Sequence, residues 1–187
     1  VAAVRDRSEL TRFSGVTEGH RLIHGGELAE LEPALSGRFN SALYYPGEAH
    51  VAAMAAMAWL LAGAQNARAE IVFGAASRPA DGILIDCRGM AARDDLPELG
   101  GVRGERVLVA TKDVTLSRPV RLLHPRQPIY VVPRSDGRFV VGATVIERED
   151  SGPMTLRSAL DLLGAAYALS PAFAEAAILD MGVGVRP

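Results

Sequence analysis

Between Val102 and Ile146 the chain breaks into short apolar segments separated by turn chemistry, and this punctuation constrains its fold more than any other feature. Arg106-Val107-Leu108-Val109, Val120-Arg121-Leu122-Leu123, Ile129-Tyr130-Val131-Val132 and Arg138-Phe139-Val140-Val141 have the length and β-branched content of strands. Ser135-Asp136-Gly137 is the sharpest break, because Asp-Gly supplies the positive φ that a tight hairpin needs. Strands joined by short turns pair antiparallel, so an antiparallel sheet is expected over this stretch. Thr155 to Ala168 then carries Leu156, Leu160, Leu163 and Tyr167 at helical spacing after Ser151-Gly152-Pro153, and Ile178 to Val185 reads as a last strand.

The preceding half is patterned differently. Gly25-Gly26 leads into Glu27-Leu28-Ala29-Glu30-Leu31-Glu32, a helix of one or two turns stopped by Pro33. Ala49 to Ala67 sets Met54, Met57, Trp59, Leu60 and Leu61 among alanines, which predicts a helix buried nearly all round. Glu70 to Phe73 and Gly82 to Asp86 read as short strands, the second running into the tight turn Cys87-Arg88-Gly89.

Composition narrows the functional classes. With 187 residues, 49% hydrophobic and 22% charged, the chain suits one ordinary domain or two small ones, and it is neither disordered nor fibrous. Twenty Lys+Arg against 22 Asp+Glu leave a net charge of −2, so no global field draws it to nucleic acid or to a membrane surface. The single cysteine, Cys87, excludes a disulfide framework and points to a reducing compartment. Val1 to Arg12 is too charged for a signal peptide, and no apolar run approaches the roughly 20 residues of a membrane span. A cytoplasmic protein is expected. The chain lacks an initiator methionine and stops at Arg186-Pro187, directly after a glycine-punctuated strand, so a partial sequence is expected too.

Sites with their own reactive group are scarce. His20, His24, His50 and His124 lack metal-ligand spacing, Asp94-Asp95 reads as a solvated turn or cap, and there is no GxSxG elbow or P-loop. Gly182-Val183-Gly184 does not open a helix after a strand, so it is no phosphate loop. What remains is a set of arginines and a tyrosine near strand ends: Arg118, Arg121, Arg126, Tyr130, Arg134 and Arg186. A guanidinium there can grip a carboxylate through two parallel hydrogen bonds, with a tyrosine hydroxyl giving a third. Taken singly, each is more often a surface salt-bridge partner than a ligand-binding residue.

Four segments taken together resemble the thiamine-biosynthesis glycine oxidase branch of the flavin-dependent D-amino-acid oxidase family. They are Ile85-Asp86-Cys87-Arg88-Gly89-Met90-Ala91-Ala92-Arg93, Thr115 to Arg126, Tyr130-Val131-Val132-Pro133-Arg134 through Gly142-Ala143-Thr144, and Arg157-Ser158-Ala159-Leu160 through Val185-Arg186-Pro187. Weaker matches lie at Glu32 to Leu35 and at Tyr45 to Val51. The resemblance implies an α+β architecture, with an antiparallel-sheet substrate domain, helices, and an incomplete portion of a Rossmann-like FAD-binding domain. On this reading residues 1–46 are the N-terminal segment of the substrate domain, 47–101 belong to the FAD-binding domain, and 102–187 form the substrate-binding sheet. The strand and turn from Ile83 to Gly89 return to the flavin.

It implies FAD as cofactor and a small amino acid and molecular oxygen as partners, oxidative deamination of glycine or a similar amine being the reaction. Arg186 takes the place of the arginine that binds the substrate carboxylate and Tyr130 that of the tyrosine that hydrogen-bonds it. Val145 stands where the family often has a pocket-lining methionine, and Cys87, Arg88 and Gly89 contribute to cofactor binding. The dinucleotide fingerprint strand, its GxGxxG turn and the stretch after Pro187 are absent, and Ala52 replaces an aspartate, so the chain by itself is expected neither to hold FAD tightly nor to turn over. Another amino-acid or sarcosine oxidase or dehydrogenase of the superfamily stays open, as do a non-catalytic carboxylate-binding or oligomerisation remnant and a homo-oligomer.

Overall fold

In the computed structural model the described residues are 1–3, 7–75, 81–123 and 128–187. The strands are β1 (Ala2–Ala3), β2 (Arg21–His24), β3 (Ser41–Tyr44), β4 (Val102–Ala110), β5 (Val120–Leu122), β6 (Ile129–Pro133), β7 (Arg138–Gly142) and β8 (Ala177–Arg186). The helices are α1 (Arg7–Ser14), α2 (Gly25–Leu31), α3 (Ala53–Asn66) and α4 (Leu156–Leu169). The chain divides into two units, one of Val1–Ala49 with Gly100–Pro187, the other His50–Leu99.

The first unit is built on an eight-stranded sheet in the order β2-β3-β1-β5-β6-β7-β4-β8. All pairings are antiparallel except β1 with β5. The expected antiparallel sheet is therefore present, but only β5, β6 and β7 follow one another as a meander; β4 crosses over to pair with β7 and β8, and three strands of the opening segment, which were not legible, extend the sheet. β1 has two residues, and β2 and β3 have four each, too short to show a period.

Alternation along β4 sorts the two faces. Arg103, Glu105, Val107 and Val109 are buried, while Gly104, Arg106 and Leu108 are half-buried or exposed. The buried face meets Leu162, Ala166 and Leu169 of α4, Leu28 of α2, and Phe139 stacked edge-on at 5.2 Å against Phe173. α4 starts where Thr155 accepts a hydrogen bond from the Ser158 amide at 3.2 Å. At its other end the Arg38 guanidinium donates to the carbonyls of Leu169 and Ala168 at 2.7 and 2.9 Å, satisfying groups the helix leaves open. A smaller cluster of Ala2, Leu10, Leu43 and Leu123 packs separately with Phe13 and Tyr45.

The hairpin between β6 and β7 turns at Asp136 and Gly137 with φ of 61° and 66°, as the Asp-Gly pair predicts. A Cβ at Gly137 would stand 2.6 Å from the Thr111 carbonyl oxygen. Gly137→Ala therefore combines a left-handed backbone, costing about 1–2 kcal/mol, with a backbone overlap. Denaturant unfolding should show a loss at or above that range.

The second unit corrects three expectations. α3 forms, as its alanines favour, but it has no buried residue: Met54 is 84% and Trp59 75% exposed. Its apolar surface finds no partner within its own unit, where Ala92 is the only buried hydrophobic residue among those described. Glu70 to Phe73 and Gly82 to Asp86 are not strands, since neither acquires the ladder partner that an extended segment needs for its backbone groups. Ile83 is accordingly 96% exposed.

Candidate active site

On the face of the sheet away from α4, Tyr130 on β6 stands opposite Gly142 on β7, Gly142 opposite Arg106 on β4, and Arg106 opposite Gly182 on β8. Gly104 and Gly184 face each other two residues along the same pair, and Val102 faces Arg186 two residues further on. These glycines leave the sheet bare, and the neighbouring long side chains lie down on them. A Cβ at Gly142 would meet the Tyr130 hydroxyl at 2.9 Å, one at Gly104 the Arg186 guanidinium at 2.9 Å, and one at Gly182 the Arg106 guanidinium at 2.8 Å. The result is an open depression of about 340 Å3 that includes Tyr130, Arg106 and Arg186 in its lining. Its chemistry suits a small acid: guanidinium groups and a phenol laid against a glycine backbone.

Directly beneath, the buried face of β4 holds a charge pair. Arg103 donates to Glu105 at 3.0 and 2.7 Å, to the Asp150 carbonyl at 2.6 Å and to the Pro153 carbonyl at 2.7 Å. Thr144 donates its hydroxyl to Glu105 at 3.1 Å and accepts the Glu105 amide at 3.0 Å. Burial pushes the Glu105 carboxyl up, but hydrogen bonds from Ser158, Arg103 and Thr144 and the Arg103 charge outweigh it, so its pKa lies below the ordinary carboxylate value. The pair thus clamps β4 to the segment leaving β7 and to the start of α4.

The structure brings Tyr130 and Arg186 into one depression, but not Val145. Gly142 to Ile146 advances four residues while Arg106 to Arg103 advances three, because Ile146 bridges Arg103 where Gly142 pairs Arg106. This bulge breaks the alternation. Val145 instead lines a cavity of about 610 Å3 together with Thr155, Arg157 and Leu162 of the α4 side. Arg118 is committed to Leu31 and to the buried Glu32 at 3.1 Å, and Arg121 lies 5.9 Å from the Phe13 ring. Arg126 and His124 fall outside the described residues. Arg106 was missed in the sequence, although extending the period-two reading of β4 back to Gly104 would have put it on the open face.

In the second unit, Gly89 adopts φ of 60° and Cys87 is an exposed free thiol. The Arg88 guanidinium is bound by Asp86 at 2.8 Å, Asp94 at 3.0 Å and Asp95 at 2.6 Å, and the hydrogen bonds it donates to the first two hold its pKa above the usual arginine range. Among the described residues there is no metal-ligating cluster and no helix long and apolar enough to cross a membrane.

A mixed sheet with a glycine-floored, arginine-flanked face suits the binding of a small acid, and the comparison with protein families supplies the class of chemistry. The model for FAD-dependent oxidoreductases of the DAO type matches residues 1–187, and the chain belongs to that family, with FAD as its cofactor. It is 50% identical over 189 residues to a Rhizobium etli protein named thiamine biosynthesis oxidoreductase ThiO, covering 100% of this chain and 58% of that protein. The chain therefore spans little more than half of the relative's length. Iminodiacetate oxidase from Chelativorans sp. matches with a TM-score of 0.76 at 25% identity, over 100% of this chain and 59% of that one. Glycine oxidase from Bacillus cereus shares the fold with a TM-score of 0.73 at 23% identity, over 100% and 61%.

As to the fit of FAD, the Cys87 to Gly89 turn offers an exposed thiol and a glycine backbone. Its arginine is already neutralised by carboxylates, so the turn supplies no unpaired cation for a phosphate.

Proposed function

We propose that this chain is the substrate-binding part of an FAD-dependent oxidase that converts glycine or a similar small amine to the 2-oxo acid, ammonia and hydrogen peroxide, in the service of thiamine biosynthesis. The observation that carries the reading is that Tyr130 and Arg186, far apart in sequence, line one depression. FAD, when bound, would supply the two-electron acceptor for oxidation at the substrate Cα, with oxygen as the final oxidant reduced to peroxide and water as the source of the carbonyl oxygen. The protein's task is to position. Arg186 grips the carboxylate, the Tyr130 hydroxyl donates a further hydrogen bond to it, and the buried Arg103–Glu105 pair keeps the sheet beneath them in register. This division of labour accounts for a site without a paired acid and base.

We assign the sheet, formed from 1–46 and 102–187, to substrate binding, and 47–101 to the FAD-binding domain, with Cys87 and Gly89 bordering the cofactor through thiol and backbone and Arg88 shaping the turn. The relative named for thiamine biosynthesis supports the pathway, at 50% identity. In the full-length, flavin-loaded protein, glycine should yield glyoxylate and peroxide in equal amounts. Reduction of a quinone without peroxide would instead indicate a dehydrogenase, and a colourless protein after addition of FAD would indicate a non-catalytic remnant.

A further inference from the structure

We propose that Gly184 is a specificity-determining residue of the substrate site: the body of the substrate lies over its bare backbone, which sets how much bulk beside the carboxylate the site accepts. This rests on the reading of Arg186 as the carboxylate anchor. Three glycines line the depression: Gly104 and Gly184, which face each other, and Gly182. They are not equivalent. Gly104 lies under the Arg186 guanidinium and Gly182 under that of Arg106, so a Cβ would meet those groups at 2.9 and 2.8 Å. A Cβ at Gly184 would meet no atom of the described residues within 4 Å, not even of the Arg186 side chain two positions along the same strand. Around the Arg186 guanidinium the other directions are taken. The Thr144 carbonyl oxygen, in the segment leaving β7, stands 3.6 Å from the Cβ position of Gly104, and Arg106, its charge met by Asp180 at 2.9 Å, holds the next same-face position of β4. Gly184 remains, about 5 Å from Gly104 across the antiparallel ladder. Arg186 itself forms no ion pair among the described residues, so its charge is open to an acid whose α carbon then lies over Gly184. The backbone does not demand glycine here. Its φ lies outside the left-handed region, and the residue belongs to strand β8, where a β-branched side chain is favoured. What the missing side chain provides is space.

The matched probes are acetate and 2-methylpropanoate, acids that offer the same carboxylate and differ only in the methyl groups on the α carbon. Each is titrated as a competitive inhibitor against glycine on the full-length, flavin-loaded protein, with Gly184→Ala and Gly184→Val beside wild type. Wild type should bind both acids. Gly184→Val should weaken 2-methylpropanoate about tenfold or more while leaving acetate within about threefold, and Gly184→Ala should fall between. Gly104→Ala is the contrast, since a methyl there displaces the anchor itself and should weaken both acids by the same factor. An unaltered flavin absorbance reports that fold and cofactor are in place. A wild-type protein that binds acetate but refuses 2-methylpropanoate overturns the role of Gly184 and leaves the anchor. So do Gly184 variants that keep the ratio of the two affinities unchanged, or that both lose the flavin. Failure of either acid to bind wild type, or an Arg186→Ala variant that changes neither affinity, overturns the anchor as well.

Discussion

Replacing Arg186 by alanine should raise KM for glycine about 10- to 150-fold, the equivalent of losing a charge-assisted hydrogen bond of about 1.5–3 kcal/mol, with a smaller change in kcat. The split follows from what the residue touches. A carboxylate is equally charged in the ground and transition states of a reaction at the neighbouring carbon, so its anchor contributes uniform binding. The guanidinium rests on Gly104, whose missing Cβ is what allows the side chain to lie flat on the sheet. Arg186→Lys should recover only part of the loss, because an ammonium cannot form the two parallel bonds. Tyr130→Phe removes one neutral donor and should cost several-fold rather than a hundredfold. Steady-state kinetics on the full-length flavoprotein measures all three, and an unchanged KM for Arg186→Ala would remove it from the site.

The largest effect on stability should come from the buried face of the same strand. Arg103 and Glu105 are 2% and 1% exposed, and each is the other's counter-charge. Arg103→Met leaves the Glu105 carboxylate without its cation and orphans the carbonyls of Asp150 and Pro153 that Arg103 now satisfies, for an expected loss of about 3–5 kcal/mol. Replacing both, Arg103→Met with Glu105→Leu, should recover a substantial share, since the uncompensated charge is then gone. Denaturant unfolding of the two variants gives the comparison, and equal losses would show that packing rather than charge holds this layer.

The pair also has a pH signature. The folded-state pKa of Glu105 lies below its unfolded value, so its contribution is fully present above about pH 4.3 and is lost as pH falls through the lower folded value. Glu105→Gln should flatten the acid limb of a thermal-midpoint profile in that window.

How much of this was legible in the sequence follows from the range of the interactions. The β6–β7 hairpin, the span of α4, the proline stop after α2 and the strand β8 depend on neighbours a few residues apart, and their periods and turn residues can be read along the chain. The longer motifs carried the family and its flavin. Burial was not legible where it depends on a partner from elsewhere: α3 has the composition of a core helix and is exposed in its own unit, and Gly82 to Asp86 has the composition of a strand without a ladder.

Residue by residue, the sequence alone determined which side chains can grip an acid, Arg186 and Tyr130 among several arginines. Tertiary structure decided the selection. Register across β6, β7, β4 and β8 set Tyr130, Arg106 and Arg186 on one face, spent Arg118 on Glu32, and turned Val145 toward α4 through a one-residue bulge. Register is a property of strand pairs distant in sequence, and the glycines that make room for these side chains acquire their meaning only from the residue that pairing sets across from them.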